Sequence, residues 1–272
     1  MLWRAVYLSL EDAGVVQQMH ELDTWLRRSL GCPFSIEIFE SSNSLQHSFI
    51  ISSAQCARLE YLKASLWASW LLGIEEGPMP FLRHLNLVFE RSPEPVVFLD
   101  APLLRSAILN DNAIHAVVLP WAQLTELTLH RVFPEECTPV LQLTFNLVYC
   151  KLIIAENDGV HRVRPDVTLL RLESLTLEPH HHTAKILGYL GTFVVPTLRH
   201  LQVAEQLLGS DPVDTLMTFV SKSGCTLEGI YVRGKRQLAE DVYRGAFPSV
   251  ELSFDEVYVG EGADGLESDS DS

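Results

Sequence analysis

The chain has 272 residues, 47% hydrophobic and 20% charged, which is enough apolar material for a sizeable core and too much for a disordered polymer. Its 35 acidic residues against 20 basic ones leave a formal net charge of −15. Phosphate backbones and anionic lipid repel such a chain, so neither nucleic acid nor a membrane surface is expected as a partner.

Five cysteines, Cys32, Cys56, Cys137, Cys150 and Cys225, are scattered without a C-x-x-C pair. They read as small buried thiols in a reduced compartment, cytoplasmic or nuclear. The longest apolar run, from Leu66 to Ile74, falls well short of the ~20 residues of a membrane-spanning helix. Met1 leads into LWRAVYLSL with no basic stretch and no small-residue cleavage site, so no signal peptide is read here.

The first elements are a strand in Leu2 to Leu10, with Val6, Leu8 and Leu10 alternating, and then a helix. Val15, Met19, Leu22 and Leu26 step by 4, 3 and 4 and lay one apolar stripe along that helix. Gly31 is its stop and Pro33 prevents resumption. Phe34 to Ile38 is the next strand.

From there a frame L-x-x-L-x-L recurs. Its copies are Leu59-x-x-Leu62-x-Ala64, Leu82-x-x-Leu85-x-Leu87, Leu104-x-x-Ala107-x-Leu109 and Leu124-x-x-Leu127-x-Leu129. Leu147-x-x-Cys150-x-Leu152, Leu172-x-x-Leu175-x-Leu177, Leu198-x-x-Leu201-x-Val203, Leu227-x-x-Ile230-x-Val232 and Phe247-x-x-Val250-x-Leu252 follow. The last two apolar residues of each copy fall on one face of a strand, because strand side chains alternate. Nine copies at steps of 20 to 29 residues match a leucine-rich-repeat period.

Helices are read between the copies. Thr138-Pro139 is a cap followed by proline, with Leu141 and Phe145 on the helix it opens. Thr183 caps 184–190, with Gly191 as the stop. Asp211-Pro212 precedes Leu216, Phe219 and Val220, and Gly224 ends that helix. The fold class is therefore α/β: an irregular leucine-rich-repeat solenoid of nine to ten repeats over 1–259, with a curved parallel sheet on the concave side and helices and turns on the convex side. A doubly wound α/β sheet is the alternative, and it needs longer, more regular helices. Residues 260–272, GEGADGLESDSDS, carry one large apolar residue and read as a disordered acidic tail. Ser268 and Ser270 in that tail match an acidophilic kinase site, as any short acidic serine tail does.

Motifs for chemistry are sparse. No G-x-S-x-G, Walker-type loop, G-x-G-x-x-G or H-E-x-x-H occurs. His180-His181-His182 reads as a solvated loop rather than a metal site, since adjacent histidines point different ways. Glu75-Glu76 and Glu135-Glu136 read as solvent charges in turns. Trp67 and Trp70, three apart, read as a packed helical face rather than a ligand platform. No catalytic residue, cofactor or metal is expected, and the chain is read as a non-enzyme.

What remains is the surface that the repeats create. Two columns of side chains face away from the core. One holds Lys63, Asn86, Ile108, Thr128, Lys151, Thr176, Gln202, Tyr231 and Glu251. The other holds Tyr61, His84, Ser106, Glu126, Tyr149, Ser174, His200, Gly229 and Ser249. Tyr61, Lys63, His84, Asn86, Glu126, Tyr149, Lys151, His200, Gln202 and Tyr231 are the candidate contacts for a protein partner on the concave face. Aromatic anchors among adaptable polar groups suit a protein better than a small molecule.

The run LPWAQLTELTL (Leu119 to Leu129) resembles the large F-box-like leucine-rich-repeat family of mushroom-forming (basidiomycete) fungi. So do Trp25 to Ile36 (WLRRSLGCPFSI), Asp100 to Arg105 (DAPLLR) and Asn146 to Leu152 (NLVYCKL), and the likeness covers about residues 1–235. In that family an F-box precedes a segment like Leu2-Trp3-Arg4 and docks a Skp-type adaptor. The repeats are thought to hold substrates for a Skp–cullin–F-box ubiquitin ligase. The resemblance thus implies a substrate-recognition repeat domain, with a Skp-type adaptor as partner only where an F-box lies upstream. Met1 falls where that F-box would end, so its helices are expected to be missing. The alternative is a free-standing interaction or scaffold module. The chain also departs from regular repeats in its asparagines, since the eighth position after the first leucine is Asn only at Asn112.

Overall fold

The computed structural model describes residues 5–9, 15–28, 31–40, 49–68, 72–74, 77–91, 94–155, 165–181, 188–234 and 236–255. Trp70, Glu75, Glu76, His182, the expected helix at 184–187 and the acidic tail with Ser268 and Ser270 lie outside the described residues. The fold is α/β, with eleven parallel strands in the main sheet among the described residues, taken in chain order as a repeat solenoid requires. The chain divides into two compact units, Met1–Val132 and Phe133–Ser272.

In the first unit the main sheet contains β1 (Ala5–Ser9), β2 (Phe34–Phe39), β4 (Leu59–Ala68), β6 (His84–Arg91), β8 (Ser106–Asn110) and β10 (Glu126–Val132). Short strands β3 (Phe49–Ile51), β5 (Leu72–Ile74), β7 (Val96–Val97) and β9 (Val117–Val118) pair as β3–β5 and β7–β9. The helices are α1 (Val15–Arg28), α2 (Ser53–Cys56) and α3 (Asp111–Ala116). In the second unit the main sheet contains β11 (Tyr149–Ile154), β13 (Ser174–Pro179), β15 (His200–Ala204), β16 (Gly229–Arg233) and β17 (Glu251–Phe254). Two-residue strands β12 (Val167–Thr168) and β14 (Phe193–Val194) pair with each other, and the helices are α4 (Pro134–Leu143), α5 (Pro212–Ser223) and α6 (Glu240–Ala246).

The leucine frame builds the sheet directly. The first leucine closes a turn: the amides of Leu82, Leu104, Leu124, Leu147, Leu172 and Leu198 donate to the carbonyls of Met79, Ala101, Trp121, Thr144, Leu169 and Val195. The second and third apolar positions then stack in register. Leu62, Leu85, Ala107 and Leu127 stand opposite one another in the first unit. In the second unit Cys150, Leu175, Leu201, Ile230 and Leu252 do the same. All of these except Leu252 are buried. A repeat alone cannot cover that face, whereas its neighbours can, and each leucine so covered is worth about 1.5–3 kcal/mol.

Helix α1 buries Leu22 and Leu26 from the expected stripe, and Gly31 beyond it takes φ 79°. Helix α5 starts and stops as its sequence demands. The Asp211 carboxylate accepts from the Asp214 amide, Pro212 takes the first position, and Gly224 closes it at φ 64°. Leu216 and Phe219 are buried from this helix.

Several expectations are corrected. Helix α4 begins at Pro134, not after Thr138. Glu136 reaches back to accept from the Phe133 amide, so it is a capping side chain within the helix rather than a loose turn charge. Pro139 lies inside the helix on its exposed side, and Phe145 lies beyond the helix and is exposed. Gly191 sits within a single helical turn, Leu190–Thr192, rather than ending a helix. Trp67 lies on strand β4, so the tryptophan spacing does not mark a helical face there. Its amide donates to Glu40, and Arg91 covers its ring at 4.9 Å. The last frame copy is displaced by two residues: Leu252 and Phe254, not Val250 and Leu252, stand opposite Ile230 and Val232. Glu251 thus shares a row with Gly229, and Ser253 shares one with Tyr231. Cys32 is exposed, while Cys56, Cys137, Cys150 and Cys225 are buried free thiols.

Candidate functional site

Strand alternation places every candidate contact on the open face of a sheet, opposite the leucine rows. In the first unit Tyr61 and His84 are cross-strand neighbours with ring centroids 6.4 Å apart. Lys63 lies opposite Glu37, with Nζ 3.2 Å from Oε2 and 4.6 Å from the centre of the Phe39 ring. Phe39 in turn stacks on the exposed Tyr7 at 5.1 Å. Partial burial, and then the Glu37 charge, hold the Tyr61 hydroxyl pKa above its ordinary value. Asn86 shares a row with Lys63 and Ile108, and Glu126 is exposed opposite Ser106.

The second unit brings its candidates together more tightly. Tyr149 is 52% exposed and the His200 side chain 61% exposed, in one row with Ser174 between them. Lys151 and Gln202 flank Thr176 in the next row, and both turn to Glu178. Lys151 Nζ lies 3.2 Å from Glu178 Oε2, and Gln202 Nε2 donates to Oε1 at 2.8 Å. Arg233 Nη1 donates to the same Oε1 at 2.5 Å. Glu178 keeps only 16% side-chain exposure under these three donors. Its hydrogen bond is the largest cause holding the Arg233 pKa above the usual arginine range.

Asp255 closes the arrangement. The Tyr231 hydroxyl donates to its Oδ1, the Gly234 amide donates to Oδ2 at 2.8 Å, and Arg233 Nε lies 3.7 Å from Oδ2. These contacts, the Tyr231 hydroxyl first, hold the Asp255 carboxyl pKa below the usual range. The bond to Asp255 correspondingly pushes the Tyr231 hydroxyl up. The result is a ladder of alternating charge across β11, β13, β16 and the end of β17: Lys151, Glu178, Arg233, Asp255.

Glu37, Glu178, Arg233 and Asp255 were not among the expected contacts. Each stands one row or one strand outside the two columns counted from the leucine frame. For Glu178, Arg233 and Asp255 the signal is strand alternation continued one residue beyond the last apolar position, and for Glu37 it is the alternation of Ile36 and Ile38 on β2.

Lys63 pairs with Glu37, Lys151 with Glu178, and Arg233 with both Glu178 and Asp255. Burial pushes the Cys137 thiol up to about 12 and raises Cys150 as well, so neither is a ready thiolate. His180 and His181 lie with ring centroids 4.2 Å apart. Among the described residues no group of three His, Cys, Asp or Glu is placed to hold a metal, and no helix is long and apolar enough to cross a membrane. Comparison with family models, with curated proteins and with solved structures finds no match.

Proposed function

We propose that the chain is a non-catalytic protein-binding repeat domain that recognises its partner through the open face of its sheet. The observation that carries this is the pairing of exposed, amphipathic side chains with a rigid floor. Tyr149 and His200 stand out from strands whose other face is sealed in the core. Such side chains offer contact area at small entropic cost, and truncating anchors of this kind costs about 2 kcal/mol or more of binding. The family resemblance extends the proposal: the bound protein is a substrate, and the domain is the recognition part of an F-box-like protein of a Skp–cullin–F-box ubiquitin ligase. An intracellular setting goes with that reading.

Quantitative affinity purification from the native host tests it, comparing the parent with Tyr149→Ala and His200→Ala. Each variant, matched to the parent in melting temperature, is expected to lose the same interactor. If both fold and keep every interactor, the open-face proposal fails. A Skp-type adaptor and a cullin recovered with that interactor support the ligase role. Their absence leaves a free-standing interaction module.

A further inference from the structure

The open face of the second unit is unevenly rough. Tyr149, Ser174, His200, Gly229 and Glu251 stand opposite one another on successive strands, so large and small side chains alternate. The His200 ring leans away from Tyr149. Its Cδ2 lies 3.4 Å from where a Cβ at position 229 would stand, and its Nε2 lies 4.0 Å from Glu228 Oε2. Across Ser174 the strands that carry Tyr149 and His200 are two strand spacings apart, about 9–10 Å, with only the small Ser174 side chain between the two rings in that row. Aromatic neighbours prefer centroid separations of about 4.5–7 Å, so a single ring entering the gap meets Tyr149 on one side and His200 on the other.

Charge decides what kind of side chain enters. Lys151 and Gln202 bracket the floor residue Thr176, and both are drawn to Glu178, away from Ser174. Arg233 is shared between Glu178 and Asp255, and the neighbouring Arg199 is held by Glu228 at 2.7 Å. The cations nearest the gap already have counter-charges, so an acidic guest has to break one of these pairs. An uncharged guest breaks none.

We infer that the gap over Ser174 receives one uncharged aromatic side chain, phenylalanine or tyrosine, from an extended segment of a protein partner. This rests on the open-face reading above and adds the chemistry of what is recognised. Ser174 and Thr176 give the ring a small, hydroxylated floor, and Tyr149 and His200 clasp it.

The test is selection of a phage-displayed library of random dodecapeptides on the immobilised full chain. Enriched peptides are expected to share one aromatic position. Synthetic versions should bind at least tenfold more weakly to Ser174→Trp, which fills the gap, and to Tyr149→Ala, with both variants melting like the parent. Glu178→Ala supplies a second readout, because it releases Lys151 and Arg233 and should shift the selected consensus toward acidic residues beside the aromatic one. A charged consensus on the parent, or aromatic peptides indifferent to Ser174→Trp, overturns this inference while leaving open-face binding intact if Tyr149→Ala still weakens them. Absence of enrichment, or peptides unaffected by any open-face substitution, overturns both.

Discussion

Asn110 in the first unit and Glu205 in the second are both buried, 1% and 3% exposed, and each ties two stretches of chain together by opposite chemistry. An amide can donate and accept. Asn110 Oδ1 accepts from the amides of Phe89 and Ala113, and its Nδ2 donates to the Phe89 carbonyl at 2.7 Å. One side chain therefore satisfies the backbone of the preceding strand and caps α3. A carboxylate only accepts, so Glu205 must gather donors from farther along the chain. The amides of Gln237 and Leu238 and the Tyr243 hydroxyl donate to it at 2.5, 3.2 and 2.7 Å. The neutral staple is local and complete in itself. The charged one reaches 32 to 38 positions along the chain and helps hold down the stretch leading into α6.

Removing each staple measures that difference. Glu205→Ala is expected to have the largest effect, because it strands two amides and the Tyr243 hydroxyl. Donors paired to a charge are worth about 1.5–3 kcal/mol each and are not additive, so a loss of about 3–5 kcal/mol is expected in urea unfolding. Asn110→Ala should cost less, about 2–3 kcal/mol. It strands the Phe89 amide and uncaps α3, while Asn112 still donates to the Phe89 carbonyl at 2.9 Å. The reverse order would mean that the donors of Glu205 find water when it is gone and that the second staple is not a closed site.

The same contrast explains which parts of the molecule the sequence makes legible. The leucine frame does so because each repeat obeys one local rule, and eight of the nine copies fall on the strands and core positions it dictates. The ninth slips by two residues because Val250 and Leu252 offer the same pattern as Leu252 and Phe254, and only pairing with β16 chooses between them. Pro139 misleads for a related reason. Thr138-Pro139 is a good helix start in isolation, but Pro134 with Glu136 is a complete one. The frame locates Tyr149, Lys151, His200, Gln202 and Tyr231 on the open face. It is silent on Glu178 and Asp255, whose importance comes from partners 21 to 55 positions away. Asn110 escapes for a subtler reason, since the repeat rule points two residues later to Asn112.

The smallest effect is a dependence on acid, carried by Asp255 in the second unit. Asp255 titrates below its ordinary range because the Tyr231 hydroxyl, the Gly234 amide and Arg233 favour its charged form. A carboxyl with a lowered folded pKa contributes stability that is present above its unfolded value. That contribution drains away as pH falls through the folded value. The second unit should therefore lose a small increment on acidification below the ordinary carboxylate range, under about 1 kcal/mol because an accessible pair is screened by solvent. Asp255→Asn should remove that increment and leave a flatter acid limb in urea midpoints measured from pH 7 downward. At the alkaline end the sign reverses. Tyr231 has a raised folded pKa, so its contribution holds below the ordinary tyrosine value and is lost as pH rises through the raised one. Tyr231→Phe should flatten that limb. Asn110 carries no charge in either state, so Asn110→Ala should displace the whole pH profile without changing its shape. A change of shape would tie the neutral staple to a titrating neighbour and end the distinction between the two.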